Sequence, residues 1–345
     1  MNCQDTPASL LAGVLQGKKG ARPPCICPGG MMNMLTLQCM SLCETYWPEA
    51  HSDPVLMARL AAAPFTAGLF DNIGVPFCMT VEAEAMGATV DLGDRQTEPR
   101  VAAYAISSVE QWRSLRPIRL DTGRVKVVLD ALASIRAHYP QAAIIGNLTG
   151  PVSLASSLVD ANAFYKELRK KPQAAHELMT FVTDNLLAFG HAQIQAGAEF
   201  IAISDPSGTG EILGPRLFEE YALPCLNRLC RELKPHCRGV IVHICGQLRT
   251  VYPQLSRLDS DAISVDAAVS LEKLRENVSG KAIMGNVSTF ALAGGKRDTI
   301  RSLCRGCLNS GADILAPACG LGTTTELDSI RVMMETVKEA ASDVR

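Results

Sequence analysis

Two stretches of the chain, AGAEFIAISD (196–205) and SGADILAPAC (310–319), follow one pattern. In each, a Gly-Ala-acid junction leads into a short apolar run, and the run ends at a side chain that can bind a metal or a proton, Asp205 or Cys319. Continuous apolar runs of this length are typical of strands buried on both faces of a parallel sheet. The two stretches therefore indicate a repeated helix–strand unit.

Six further runs resemble these two, which gives eight candidate strands. They are CICPG (25–29), GVPFCMTV (74–81), AAIIGNL (142–148), GVIVHICG (239–246), DAISVDA (261–267) and KAIMGNV (281–287). Helical patterns lie between the runs, at 53–70, 122–138, 173–196, 216–234, 247–258, 296–310 and 325–342. Alternating strands and helices in this number predict an α/β fold, a closed (β/α)₈ TIM barrel. We expect one domain over 1–345, with an N-terminal extension or lid over about 1–70.

The composition limits the possible partners. Hydrophobic residues make up 47% of the 345 residues, so a large core is available. The net charge is −2 and aromatic residues make up 5%, which argues against nucleic acid or a membrane surface as a partner. Prolines and glycines interrupt the uncharged stretch 23–43, so it is not expected to span a membrane. Thirteen cysteines without a secretory signal predict a cytoplasmic protein without a disulfide framework.

In such barrels the chemistry takes place at the carboxyl ends of the strands. The polar or metal-binding residues that follow the apolar runs are Asn147, Asp205, His243, Cys245, Asp266, Asn286 and Cys319. Ordinary loop polarity explains Asn147, Asp266 and Asn286 equally well.

The spacing His243-x-Cys245 suggests a metal site. In an extended strand, residues two apart point the same way and lie about 6–7 Å apart along the strand. Cys319 would meet them only through barrel closure. One imidazole and two thiols form a donor set that zinc prefers, and three protein ligands leave a coordination position open for catalysis. A buried histidine beside a buried cysteine is the simpler explanation of the spacing alone.

The order of several motifs resembles one protein family. PGGMMNM (28–34), VPFCMTVEAEAMGA (75–88), GNLTGPVSLAS (146–156), ISDPSG (203–208) and APACGLGT (316–323), together with the His-x-Cys pair, resemble the methylcobamide:coenzyme M methyltransferases of the uroporphyrinogen decarboxylase superfamily. The resemblance implies a zinc ion on His243, Cys245 and Cys319. It also implies methyl transfer from a methylcobamide, carried on a corrinoid protein, to a small thiol such as coenzyme M or homocysteine.

The same comparison argues against porphyrinogen decarboxylation. A tetrapyrrole with many carboxylates needs cations, and CICPGGMMNM (25–34) contains none. An acidic residue and a histidine of the decarboxylase fall, by spacing, on Cys78 and Cys319. Three other functions stay open, namely methyl transfer to tetrahydrofolate, decarboxylation of a different small carboxylate, and a docking module with a structural zinc.

Two carboxylates are candidate catalytic residues. Glu82 follows a predicted strand and is expected to act as a displaceable fourth zinc ligand or as the proton acceptor for the thiol. Asp205 is expected to orient His243 or to help shape the thiol pocket. A solvated or helix-capping carboxylate is the alternative for each, and Asp205 precedes Pro206 and Ser207, a common capping context.

Three residues are candidates for contact with the corrinoid. Met31 and Met32 lie in the segment that resembles the mobile mouth region of the family, and methionines form an adaptable apolar surface. Asn147, at a strand end, is the third. Core packing is the alternative for the two methionines.

Overall fold

A computed structural model describes residues 6–342 of the chain. The strands are β1 (Asn72–Val75), β2 (Thr89–Asp91), β3 (Arg100–Ala103), β4 (Ala143–Thr149), β5 (Phe200–Ser204), β6 (Val240–Ile244), β7 (Ala262–Val265), β8 (Ala282–Val287) and β9 (Ile314–Pro317). A parallel sheet contains β1 and β4 to β9 in that order, while β2 and β3 pair as a separate antiparallel hairpin. Nearly every residue of the parallel strands is buried, as expected for a sheet covered on both faces.

Residues 24–27, named here the closing segment, join the two edges of this sheet. On one side Ile26 N–H donates to the Leu315 carbonyl of β9, and Leu315 N–H donates to the carbonyl of Pro24. On the other side Asp71 N–H, next to β1, donates to the Cys25 carbonyl. The closing segment therefore takes the place of an eighth strand and leaves no open edge in the barrel.

Helices surround the barrel and pack their apolar faces on the strands. They are α1 (Pro7–Leu15), α2 (Leu37–Leu42), α3 (Pro54–Thr66), α4 (Val81–Met86), α5 (Gly123–His138), α6 (Pro151–Leu158), α7 (Ala161–Lys170), α8 (Pro172–Gln195), α9 (Gly210–Leu217), α10 (Leu223–Leu233), α11 (Tyr252–Leu255), α12 (Leu271–Asn277), α13 (Thr289–Ala293), α14 (Arg297–Asn309) and α15 (Leu327–Ser342). Where a helix begins depends on the residues that bind the free N–H groups of its first turn. Asp53, for example, accepts hydrogen bonds from Val55 N–H and Leu56 N–H ahead of Pro54, the first residue of α3.

The predicted barrel is confirmed, with differences in detail. Strand β1 lies at 72–75 rather than 74–81, because Pro76 has no N–H to continue the ladder. The predicted helix 216–234 corresponds to a continuous helical segment, in which a π-helical turn at Phe218–Ala222 joins the end of α9 to α10; the kink at Gly214, with a φ of 67°, lies before it. Short helices such as α6 and the β2–β3 hairpin were not predicted, because too few residues carry their periodicity.

The hairpin tip, residues 92–99, covers one side of the barrel mouth. Asn33 donates from Nδ2 to Glu98 at 2.8 Å, and Thr323 Oγ1 donates to the Gln96 carbonyl. Both partners belong to segments that follow barrel strands at their carboxyl ends. In the part of the chain from 6 to 342, no helix is both long and apolar enough to cross a lipid bilayer.

Candidate metal centre at the barrel mouth

Three side chains predicted to bind a metal come together at the mouth. His243 is on β6, Cys245 follows the last residue of that strand, and Cys319 lies two residues beyond β9. His243 Nε2 is 2.9 Å from Cys245 Sγ, which is 3.5 Å from Cys319 Sγ. All three potential ligand atoms lie within 4.8 Å of one another. Barrel curvature thus brings a residue 74 positions away beside the His-x-Cys pair.

The second ring nitrogen of His243 has its own partner. Nδ1 is 2.9 Å from Ser264 Oγ, and Ser264 lies directly across from His243 in the β6–β7 ladder. The Ser264 hydroxyl also lies 3.5 Å from Met32 Sδ. A hydrogen bond at Nδ1 fixes the ring and leaves Nε2 directed at the two sulfurs.

The hydrogen bond between the two thiols shifts their pKa values in opposite directions. The hydrogen bond from the Cys245 thiol lowers the pKa of Cys319, and the same contact raises the pKa of Cys245. His243 is buried, whereas both cysteines are partly exposed. The sulfur side of the cluster therefore faces the mouth.

Glu82 lies outside this cluster. Its side chain is 1% exposed on α4 and accepts hydrogen bonds from Thr149, from N–H at 2.8 Å and from Oγ1 at 3.0 Å. Burial raises the pKa of the Glu82 carboxyl, and the Thr149 hydrogen bonds oppose that rise. Among the described residues, the group of His, Cys, Asp and Glu atoms close enough for one ion contains His243, Cys245 and Cys319 without Glu82. Its predicted role as a fourth ligand therefore does not match its position.

Asp205 is placed differently from the expectation. It is fully buried, and its carboxylate accepts hydrogen bonds from Val152 N–H, Ser153 N–H and Ser153 Oγ at the start of α6. Ser264, not Asp205, is the hydrogen-bond partner of the His243 ring. The Asp205 side chain does not cap the short helix at Pro206–Gly208 that it precedes; its carboxylate instead binds the N–H groups in the first turn of α6, next to the end of β5.

Two of the three residues predicted to contact the corrinoid are buried. Met32 is 0% exposed and packs beneath Ser264, so it offers no surface to a large ligand. Asn147 is 2% exposed, and its Nδ2 donates to the carbonyls of Pro28 and Val75, which ties the mouth segment to the barrel. Met31 is partly exposed and stays a candidate.

Ser264 is a site residue that was not predicted from the sequence. The available signal was a hydroxyl inside the apolar run AISV (262–265), since a polar group buried in a strand needs a partner.

Comparison with known proteins agrees with this architecture. The family model for uroporphyrinogen decarboxylase (URO-D) matches residues 6–340. The methylcobamide:CoM methyltransferase MtbA of Methanosarcina acetivorans is 30% identical over 335 residues, 96% of this chain and 98% of that protein. A uroporphyrinogen decarboxylase of Xanthomonas campestris pv. campestris is 30% identical over 190 residues, 52% of each chain.

A solved structure gives the same result. A methyltransferase from Methanosarcina mazei aligns with a TM-score of 0.90 and 28% identity, over 97% of this chain and 99% of that chain. The similarity to the methyltransferases thus spans the barrel, whereas that to the decarboxylase spans about half of it. The chain belongs to the uroporphyrinogen decarboxylase family and, within it, is a methyltransferase of the methylcobamide:coenzyme M methyltransferase-like group.

Proposed function

We propose that this protein moves a methyl group from a methylated corrinoid, carried on a corrinoid protein, to a small thiol, with a zinc ion held by His243, Cys245 and Cys319. The observation that carries the proposal is the convergence of one imidazole and two thiols at the mouth. The relatives that match over nearly their full length are methylcobamide:CoM methyltransferases, which supports the reaction class.

The donor set fits zinc. Imidazole nitrogen and thiolate sulfur are its preferred ligands, and at a Zn–S distance of about 2.3 Å two sulfurs of a tetrahedral site lie about 3.8 Å apart. Cys245 and Cys319 hold their sulfurs 3.5 Å apart, so only a small movement is needed. Three protein ligands leave one of the four positions for the substrate.

The charge of the ligands suits a thiol substrate. Two thiolates cancel the charge of a Zn²⁺ ion, and His243 is neutral as a ligand. When bound, zinc lowers the pKa of the substrate thiol so that the thiolate is present near neutral pH. Ser264 keeps the His243 ring in place, and Cys245 and Cys319 are partly exposed, so a bound ion would be reachable from the mouth.

The proposed methyl transfer is a nucleophilic displacement at the methyl carbon. The substrate sulfur supplies an electron pair for the new C–S bond, and the Co–C bond of the methyl-Co(III) corrinoid breaks with its pair left on cobalt, giving Co(I). Sulfur, methyl carbon and cobalt must lie nearly in line, so the corrinoid must cover the mouth. We assign no catalytic role to Glu82 or Asp205, which are both committed to hydrogen bonds away from the cluster.

The test is methyl transfer from free methylcobalamin to a panel of small thiols, with zinc measured on the same preparation. We expect one zinc per chain and thiol methylation that stops when a chelator removes the zinc and returns on its addition. Methyl transfer to tetrahydrofolate that continues at the same rate in the presence of the chelator would contradict the proposal. Turnover of a carboxylate, or zinc without turnover of any methyl donor, would favour decarboxylation or a docking module.

Replacing Ser264 by alanine should weaken zinc binding. The change frees the His243 ring to rotate, and loss of such an outer partner typically costs 10- to 100-fold in metal affinity. Competition with a chromogenic zinc chelator measures the affinity. Ser260→Ala is the matched control, since Ser260 is also buried and lies just before β7, at the other end from Ser264. Equal affinities in the two variants would contradict the role of Ser264.

Two exposed apolar side chains lie beside strands of the metal cluster. Among the described residues, Ile212 and Phe290 are exposed large hydrophobic residues on the first α-helices after β5 and β8. Phe290 is 90% exposed and follows β8, next to the strand that leads to Cys319. Ile212 follows β5, next to the strand that carries His243. We infer that Phe290, Ile212 and Met31 contribute to the surface that receives the corrinoid protein.

Replacing Phe290 by serine should therefore weaken transfer from the corrinoid protein. A well-placed aromatic anchor is worth about 1–2 kcal/mol, so KM for the methylated corrinoid protein should rise roughly tenfold. Transfer from free methylcobalamin should not change, because the metal centre is intact. Leu303→Ser, on the outer helix α14, is the control. A loss with both donors would show that Phe290 acts on the fold rather than on docking.

A further inference from the structure

A cavity of about 740 Å³ lies at the end of the barrel opposite to the metal centre. Its walls are the loop 16–23, residues that lead into β8 and β9, and the end of α15. The loop precedes the closing segment, so the cavity lies at the amino ends of the strands, whereas His243, Cys245 and Cys319 lie at the carboxyl ends. The cavity is therefore separate from the site of the proposed methyl transfer.

The lining of this cavity is basic, although the chain as a whole has a net charge of −2. Its charged residues are one acid, Asp313, and five bases, namely Lys18, Lys19, Arg22, Arg275 and Lys281. The two arginines have carboxylate partners. Arg22 donates to Asp71 at 2.6 and 2.7 Å, and Arg275 pairs with Asp313. The positive charge of the cavity thus comes from the three lysines.

In the chain from residue 6 to residue 342, no carboxylate forms an ion pair with any of these lysines. Lys281 Nζ donates to the Ser256 carbonyl, Lys18 Nζ donates to Gln16 Oε1, and Lys19 Nζ has no partner among those residues. Burial lowers the pKa of the Lys281 ammonium, and this effect exceeds the opposing attraction of Asp259. A partly buried ammonium without a counter-ion is stabilised by an anion from solution.

The loop also supplies backbone donors. Gly17, with a φ of 74°, ends α1, and Gly20 packs on it so closely that an added Cβ would lie 2.4 Å from Leu10 Cδ1. Among the described residues, the N–H groups of Lys19, Gly20 and Ala21 have no acceptor. Successive N–H groups in a turn can bind an anion together.

We propose that this cavity binds a polyphosphate, either inorganic or as part of a nucleoside triphosphate. Three unpaired lysines match a chain of phosphates better than a single phosphate ion. The volume of about 740 Å³ lies within the range of sites for small-molecule ligands, about 300–1,000 Å³. Val14, Leu15 and Ala312 give the cavity an apolar wall that a nucleoside could contact. The inference does not depend on the proposed function.

Isothermal titration calorimetry on the full-length protein, desalted to remove free metal, compares sodium tripolyphosphate, ATP and orthophosphate at one ionic strength. We expect one tripolyphosphate per chain and at least tenfold weaker binding of orthophosphate, which reaches fewer of the lysines. ATP that binds more tightly than tripolyphosphate would identify a nucleotide as the ligand. ATP that binds more weakly would identify inorganic polyphosphate.

Replacing Lys281 by glutamine should weaken tripolyphosphate binding about tenfold, the value of one hydrogen bond to a charged group. Glutamine removes the charge but keeps a donor for the Ser256 carbonyl. Lys19→Gln should act in the same direction with a smaller effect, because Lys19 is exposed. Lys166→Gln is the matched control, since Lys166 is an exposed lysine on α7, outside the cavity, and binding should not change.

A second measurement uses the wild-type protein alone. Lysines are acetylated with limiting acetic anhydride and located by mass spectrometry, and tripolyphosphate should slow the modification of Lys281 and Lys19 but not of Lys166. Absence of tripolyphosphate binding, equal weakening in Lys281→Gln and Lys166→Gln, or protection spread evenly over the lysines would overturn the assignment. Each of these outcomes leaves the proposed methyl transfer unaffected, because the metal centre lies at the other end of the barrel.

Discussion

Replacing Cys245 by alanine is expected to abolish zinc binding and thiol methylation together. The variant leaves His243 and Cys319, too few ligands for a stable site, and it removes one of the two negative charges that balance the ion. Loss of an outer partner already costs 10- to 100-fold in affinity, so loss of a ligand should cost more than about 100-fold in both zinc affinity and kcat/KM. Cys319→Ala should behave in the same way.

Cys237→Ala provides the matched control for this prediction. Cys237 is also a partly exposed cysteine, and it precedes β6 at the end of the barrel opposite to Cys245. Its removal should leave zinc content and methyl transfer unchanged. Zinc by atomic absorption and methyl transfer from methylcobalamin are measured on the same samples. Full zinc and full activity in Cys245→Ala would rule out the proposed metal centre.

Replacing Asp205 by alanine is expected to have the largest effect on stability. The change leaves Val152 N–H and Ser153 N–H buried without an acceptor at the start of α6. Hydrogen bonds to a charged group contribute about 1.5–3 kcal/mol, so the free energy of unfolding should fall by roughly 3 kcal/mol. Urea unfolding followed by circular dichroism measures the change. The protein that stays folded should bind zinc normally, because His243 is held by Ser264.

Asp160→Ala is the control that measures the contribution of an ordinary helix cap to the free energy of unfolding. Asp160 accepts a single backbone hydrogen bond, from Ala163 at the start of α7, and is only partly buried. Its loss should cost about 1 kcal/mol. If Asp205→Ala instead retained full stability but lost zinc affinity, the original expectation that Asp205 orients the metal ligand would be restored.

The barrel and the cluster of His243, Cys245 and Cys319 could be predicted from the sequence because both follow from local regularities. The repeated apolar runs define the strands, the two-residue spacing places His243 and Cys245 on one side, and barrel closure brings Cys319 to them. The role of Asp205 could not be predicted in the same way. Helix α6 has only eight residues, so the helix that this carboxylate caps leaves a weak periodic signal.

The packing of Trp47, His51 and Arg124 against one another could not be predicted from the sequence for another reason. Trp47 and His51 lie in an irregular connection between α2 and α3, and Arg124 is in the first turn of α5. Their proximity depends on how the N-terminal connection packs over the mouth, which no spacing in the sequence records. For Met32 the prediction was wrong. A flexible apolar side chain in a glycine-rich segment suggested a binding surface, but Met32 is fully buried.

The most direct test of the proposed centre is X-ray absorption at the zinc edge, on the zinc-loaded protein before and after addition of a thiol. We expect two sulfur ligands and one imidazole from the protein, at Zn–S distances of about 2.3 Å, and a third sulfur once the thiol is added. A sulfur count that stays the same after the thiol is added would contradict the open position on which the proposed mechanism depends.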